Sequence, residues 1–151
     1  MEIGPATDGD VDALLPLIRS YCDFYEVDPP DAGLAEMARA LIAAPDDEGM
    51  LLVARRDGAV VGFAACGWKW SSLRGARLML LEDLFVAPEA RGEGFADALI
   101  TACADRGREL GAACLAWTTA VDNHRAQAVY NRIGAVGETW MEYELELDSG
   151  E

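Results

Sequence analysis

The sequence predicts an α+β fold with a mixed, mostly antiparallel central sheet flanked by helices, and three observations predict it. Two stretches with apolar residues at helical spacing come before the main strand-like runs. Three such runs then follow one another, the first pair joined by Asp57-Gly58, a dipeptide that favours the tight turn of an antiparallel hairpin. Last, a helical pattern stands between two strand-like runs, the mark of a parallel crossover. At 151 residues the chain is long enough for one domain, of a size that buries roughly 70% of its unfolded surface. No repeat, low-complexity tract or linker divides residues 1–151, so a single domain is expected.

The elements are justified in order. Ile3 begins a short strand, and Thr7 or Asp8 caps a helix whose apolar positions are Val11, Leu14, Leu15, Ile18 and Cys22. Asp28-Pro29-Pro30-Asp31 breaks that helix and offers Asp31 as the next cap, with Leu34, Met37, Ala38, Leu41 and Ile42 on one face before Pro45. MLLVARR and AVVGFAACGW form the hairpin, and RLMLLEDLFV adds a third strand beside it. Ala96, Leu99, Ile100, Cys103, Gly107 and Leu110 mark a helix ending at Gly111, and the strand ACLAWTT follows. Asp122 or Asn123 caps a further helix through Arg132, ended by Gly134, and the alternating TWMEYELEL supplies a last strand.

Composition narrows the function classes. Hydrophobic residues make up 52% and charged residues 26%, and no apolar run reaches the ~20 residues that a bilayer span needs, so a soluble protein that does not enter membranes is expected. The N-terminus carries acids rather than a basic segment before an apolar run, which makes the cytoplasm the default location. Cys22, Cys66, Cys103 and Cys114 form no C-x-x-C pair and are expected as reduced, buried thiols. With His124 the only histidine, and expected at an exposed helix start, no metal site is expected. The net charge of -15 argues against nucleic acid and favours cationic small molecules.

Against that charge stands EARGEGFADALI, residues 89–100. The first N–H groups of a helix lack internal partners and the helix dipole adds positive character there, so anions bind such termini. Gly92 and Gly94 keep side chains away from those amides, and Arg91 can add a charge-assisted bond. Screening over about 8 Å lets local donors outweigh distant carboxylates. The P-loop lysine is missing, and Asp97 stands where a dinucleotide fingerprint needs a third small residue. In the preceding strand, LLEDLFVAP sets Glu82 and Asp83 among apolar residues. Strict alternation would send them to opposite faces, one of them inward or into a cleft.

Together these residues resemble the GNAT superfamily of acetyl-CoA-dependent N-acetyltransferases. Its signature Gln/Arg-x-x-Gly-x-Gly/Ala is met by Arg91, Gly94 and Ala96, and a downstream Asn-x-x-Ala-x-x-x-Tyr-x-x-x-Gly by Asn123, Ala126, Tyr130 and Gly134. The order of elements agrees over nearly the whole chain. LEDLFV, the ending Ile133-Gly134-Ala135 and the Tyr25-Glu26 pair look like the spermidine/spermine and thialysine acetyltransferase branch.

The resemblance implies a fold with the fourth and fifth strands splayed around acetyl-CoA, which serves as cosubstrate. It implies that backbone amides of Arg91, Gly92, Glu93, Gly94, Phe95 and Ala96 hold the CoA pyrophosphate, with Asp97 at the edge. Leu84 and Val86 would offer main-chain groups to the pantetheine arm, with Phe85 between them, and Asn123 would contact the cofactor from the next helix. An amine of pKa about 10.4 is cationic at neutral pH, and freeing its lone pair there costs about 4.6 kcal/mol. Glu82 would take that proton as general base, and Tyr130 would protonate the leaving thiolate as general acid. Main-chain N–H near Leu84 would meet the oxyanion. Tyr25, Glu26, Glu82, Asp83 and Trp117 would form the acceptor pocket, carboxylates for ammonium and aromatic faces for cation–π attraction. Trp68, Trp70 and Trp140 are expected in buried packing or a dimer seam. The expected reaction is acetyl transfer to a polyamine or lysine-like amine by a homodimer. The alternatives are acetylation of a protein or peptide, and a CoA-binding sensor without turnover.

Overall fold

A computed structural model of the chain describes residues 1–147. It forms two compact units, residues 1–118 and the segment from Thr119 onward. The first holds β1 (Glu2–Pro5), α1 (Val11–Phe24), α2 (Asp31–Ala43), β2 (Met50–Arg56), β3 (Ala59–Ser71), β4 (Ala76–Val86), α3 (Phe95–Glu109) and β5 (Leu115–Ala116). The sheet order is β1-β2-β3-β4-β5. The first four strands pair antiparallel, and β5 pairs parallel to β4 after the α3 crossover.

The hairpin turn follows from its residues. Asp57 and Gly58 lie at φ 53° and 83°, the left-handed pair that matches the twist of two adjoining strands. Period-two alternation along β2, β3 and β4 then gives the sheet two apolar faces, each covered by helix. On one, Leu14, Ile18 and Cys22 of α1 and Leu34 and Ala38 of α2 pack with Leu51, Val53, Phe63, Ala65 and Phe85. On the other, α3 sets Cys103 Sγ 3.4 Å from Cys66 Sγ. A Cβ on Gly107 would meet Met79 Sδ at 3.5 Å, so α3 packs closely there. Burying each large core side chain contributes about 1.5–3 kcal/mol, so the two layers account for most of the driving force.

The loop before α1 is fixed by Asp10. Its nearly buried carboxylate accepts from the Thr7 N–H and the Arg55 guanidinium, each at 2.8 Å, linking the short 3-10 turn Asp8–Asp10 to β2. Arg55 holds that carboxyl below its ordinary range. Cys22, Cys66 and Cys103 are buried, Cys114 is half-buried, and all four are free.

The second unit contains α4 (His124–Arg132), with His124 exposed at its start as expected. Here an expectation is overturned: residues 139–147 form no strand. Met141, Tyr143, Leu145 and Leu147 are exposed, and among the described residues of this unit there is no strand to complete a ladder. Alternation makes a segment fit for a sheet, but the sheet needs a partner edge. The fifth strand is likewise shorter than expected, two residues in place of the full ACLAWTT. Trp70 and Trp140 are 76% and 80% exposed rather than buried, whereas Trp68 is half-buried and donates from Nε1 to Asp46 O.

Candidate active site

The glycine turn lies where β4 hands the chain to α3. Ala87 N–H donates to Val61 O at 2.8 Å and pins the end of β4, after which the 3-10 turn Pro88–Ala90 leads into Arg91. Gly92 and Gly94 then take φ 82° and 89°, a region that costs an L side chain roughly 1–2 kcal/mol. Gly94 is the N-cap of α3, and Ala98 N–H donates back to Gly94 O at 3.0 Å. The amides of Gly94, Phe95 and Ala96 precede that first internal bond, which leaves them as the donors of a helix terminus. Phe95 is buried beneath the turn, while residues 91–94 are exposed.

Two charged side chains frame the turn. Arg91 Nε donates to Val86 O at 3.0 Å, and the guanidinium lies 5.3 Å over the Phe85 ring, so one of its donors is committed to β4. Glu93 pairs with Arg56 of β2. Both partners are substantially exposed, so this pair adds little stability.

Beside the turn, β4 offers an open edge. Its parallel pairing with β5 covers only Met79↔Leu115 and Leu80↔Ala116. Beyond Leu80, no strand among the described residues continues that side of β4. Alternate residues from 82 to 86, a stretch that includes Leu84, Phe85 and Val86, therefore direct backbone polar groups toward an unpaired edge. Among the described residues no His/Cys/Asp/Glu cluster could hold a metal ion.

The acidic pair departs from the alternation expected of it. Ala65 pairs with Asp83 but Cys66 pairs with Leu81, so Glu82 is the extra residue of a β-bulge. The bulge brings both carboxylates to the face covered by α1 rather than to opposite faces. Asp83 lies near Tyr21 of α1, and Glu82 Oε1 lies 3.5 Å from where a Cβ on Gly67 would stand. Gly67, opposite the bulge and on that same face, leaves the space that the Glu82 side chain fills. Glu82 is exposed and Asp83 half-buried, and burial raises the Asp83 carboxyl above its usual range although the nearby Tyr21 hydroxyl opposes this. Burial also raises the Tyr21 hydroxyl strongly.

Tyr25 and Glu26 end α1 near this pair. The Tyr25 ring stands 5.1 Å from that of Tyr21. Glu26 occupies φ 58°, the position after a helix end where glycine is usual, with Val27 N–H closing onto Cys22 O at 3.1 Å. Trp117 follows β5 and is half-buried. Tyr21 escaped the sequence reading; its signal was the i, i+4 spacing to Tyr25 on one helix face.

The remaining expected residues belong to the second unit. Asn123 Oδ1 caps α4 by accepting from Ala126 N–H at 3.2 Å, which leaves its amide NH2 as the group able to donate elsewhere. Tyr130 lies on the same helix, half-buried, about two turns on. Gly134, at φ 89°, ends the turn that follows.

A cradle of backbone donors, an open strand edge and a pair of carboxylates invite comparison with known proteins. Residues 14–135 match the family model described as "Acetyltransferase (GNAT) family". The uncharacterized N-acetyltransferase YhfO of Bacillus subtilis is 31% identical over 134 residues, 89% of this chain and 89% of its own. The D-amino-acid N-acetyltransferase HPA3 of Saccharomyces cerevisiae is 30% identical over 125 residues, 82% of this chain and 78% of its own. Among solved structures, a probable acetyltransferase superposes with a TM-score of 0.84 at 30% identity, covering 99% of both chains. The enzyme AAC(6')-Iy, bound to a bisubstrate analog containing CoA, does so with a TM-score of 0.80 at 25% identity, covering 97% of this chain and 98% of that one. The chain belongs to the GNAT acetyltransferase family, and it is an N-acetyltransferase with acetyl-CoA as cosubstrate.

Proposed function

We propose that the acceptor is the primary amine of a small cationic molecule, a polyamine or lysine-like compound, as in the spermidine/spermine and thialysine branch. The observation that carries this reading is the bulge that turns both Glu82 and Asp83 to one face beside Tyr21 and Tyr25. Two adjacent carboxylates with aromatic neighbours suit ammonium groups and disfavour an acceptor bearing its own carboxylate near the amine. Glu26 and Trp117 complete the acceptor site in this reading.

In the reaction, the pyrophosphate of CoA rests on the amides of Arg91 through Ala96, with Asp97 at the edge and Asn123 contributing from α4. The pantetheine arm runs along the open edge of β4 at Leu84, Phe85 and Val86. Glu82 takes the ammonium proton, the amine attacks the thioester carbonyl, and main-chain N–H near Leu84 stabilises the oxyanion. The tetrahedral intermediate collapses with loss of CoA thiolate, which Tyr130 protonates, and the second proton leaving the nitrogen restores the Tyr130 hydroxyl by way of solvent. The family match spans residues 14–135 and so crosses from one compact unit into the other, which supports one catalytic domain over residues 1–151. Four free cysteines support a reducing, cytoplasmic location, and the exposed alternating segment 139–147 supports a homodimer.

The test is thiol release from acetyl-CoA across a panel of amines. Turnover is expected with spermidine, putrescine and thialysine, and weaker turnover with D- or L-amino acids lacking a side-chain amine. Preference for those simple amino acids or for a peptide N-terminus would overturn the acceptor assignment.

A further inference from the structure

The glycine turn before α3 has few internal supports. Arg91 N–H donates to Pro88 O at 3.3 Å, and the next backbone bond along the chain is that of Ala98 N–H to Gly94 O. Among the described residues, the amides of Gly92 and Glu93 donate to no backbone carbonyl, and residues 91–94 are exposed. Gly92 and Gly94, on either side of Glu93, both lie in the left-handed region that glycine enters freely.

Support reaches this turn from β2. Arg56 pairs with Ala59 across the hairpin, one residue before the Asp57-Gly58 turn, and the same hairpin receives the Ala87 N–H at Val61 O. From that braced position Arg56 Nη1 donates to Glu93 Oε2 at 2.5 Å. Among the described residues this is the only ion pair that the turn makes. Arg91, the cation of the turn itself, is directed to Val86 O and lies over the Phe85 ring.

A carboxylate in the middle of a turn that receives a diphosphate is a like charge at short range. Within one Debye length of about 8 Å, salt does not extinguish that repulsion. Ion pairing cancels it. The pair contributes little to folding, since both side chains are substantially exposed, so its effect belongs to binding.

We propose that Arg56 is a positioning residue for cofactor binding and acts through Glu93, neutralising and tethering the carboxylate that stands between the two glycines. This rests on the reading of residues 91–96 as the seat of the CoA pyrophosphate, and it adds a residue from β2 that lies outside both sequence motifs.

Arg56→Ala leaves Glu93 unpaired. By calorimetry at low salt its affinity for CoA is expected to fall about three- to tenfold, and the loss should shrink below about twofold where added salt cuts the Debye length to about 4 Å. With the best acceptor of the amine panel, the acetyl-CoA KM should rise by a similar factor while kcat and the amine KM stay unmoved. S-Acetylpantetheine, a donor without the pyrophosphate, should serve variant and wild type equally. Arg56→Lys keeps the charge and should restore most of the affinity. In a Glu93→Gln background, Arg56→Ala should cost no more than about twofold over Glu93→Gln alone. Unchanged CoA affinity in Arg56→Ala overturns the role of Arg56. An equal loss with and without the Glu93 carboxylate overturns the route through Glu93, and a loss that salt does not reduce overturns its basis in charge. Gly94→Ala separates these from the parent reading: CoA affinity that it leaves unmoved sinks the turn as the pyrophosphate seat, whereas a weakened Gly94→Ala beside an unaffected Arg56→Ala removes Arg56 alone.

Discussion

At the scale of single residues, the chemistry divides between groups that move protons and groups that hold charge. Tyr130 is half-buried on α4, and its proposed task is to protonate a leaving thiolate. Tyr130→Phe is expected to lower kcat by about 10² to 10⁴ while calorimetry finds the CoA affinity unchanged. Asp83 carries a measurable cost of the opposite kind. Its folded-state carboxyl is raised by burial, so the folded chain binds this proton more tightly than the unfolded chain does. Stability from this group is then fully present below the unfolded pKa of about 4 and falls as pH rises through the folded value. Asp83→Asn should therefore raise the melting temperature at pH 7 by a few degrees, with the gain shrinking toward pH 3.5, even as amine binding suffers. Thermal scans across that range check the sign.

Among elements, the turn into α3 has the least tolerance. Gly94 N-caps the helix at φ 89°, and open space surrounds its Cβ direction apart from Met1 Cε at 3.8 Å. Backbone strain, not crowding, is what a side chain would bring. Gly94→Ala should cost about 1 kcal/mol of stability and weaken CoA binding about tenfold or more, measured by denaturant titration and calorimetry. The elements also show what a sequence can carry. The helical spacing of Val11, Leu14, Ile18 and Cys22, the Asp57-Gly58 turn and the crossover through α3 all follow from local propensity and apolar period, and each was legible. The glycine turn was legible because donors at a helix start need no distant partner. The bulge in β4 was not, since alternation carries no mark of where a ladder gains a residue, and with it went the shared face of Glu82 and Asp83. The short β5 and the unpaired segment 139–147 depend on which edges are available, a property of the assembled sheet rather than of the segment.

At the scale of the molecule, a net charge of -15 coexists with a turn of backbone donors, and the proposed sites would let one protein attract a cationic acceptor at long range and hold an anionic donor at short range. Segment 139–147 adds a second large-scale feature. Met141, Tyr143, Leu145 and Leu147 alternate along the sequence with Glu142, Glu144 and Glu146 and are 76–86% exposed. Such a run is a template for pairing. Sedimentation is expected to show a dimer for the wild-type chain and a monomer after Met141, Tyr143 and Leu145 are all changed to Thr.

One consequence of the bulge reaches past the acceptor. In β4, Met79 and Leu81 point to the α3 layer and Asp83 and Phe85 to the α1 layer, and the supernumerary position between them is Glu82. Excising that single residue would mend the ladder and leave every neighbour aimed as it is now. A chain lacking residue 82 should thus refold with native circular dichroism and native CoA affinity yet fail to turn over amines. The position proposed to accept the proton is in this sense a detachable insert, free to change identity without asking the core to repack.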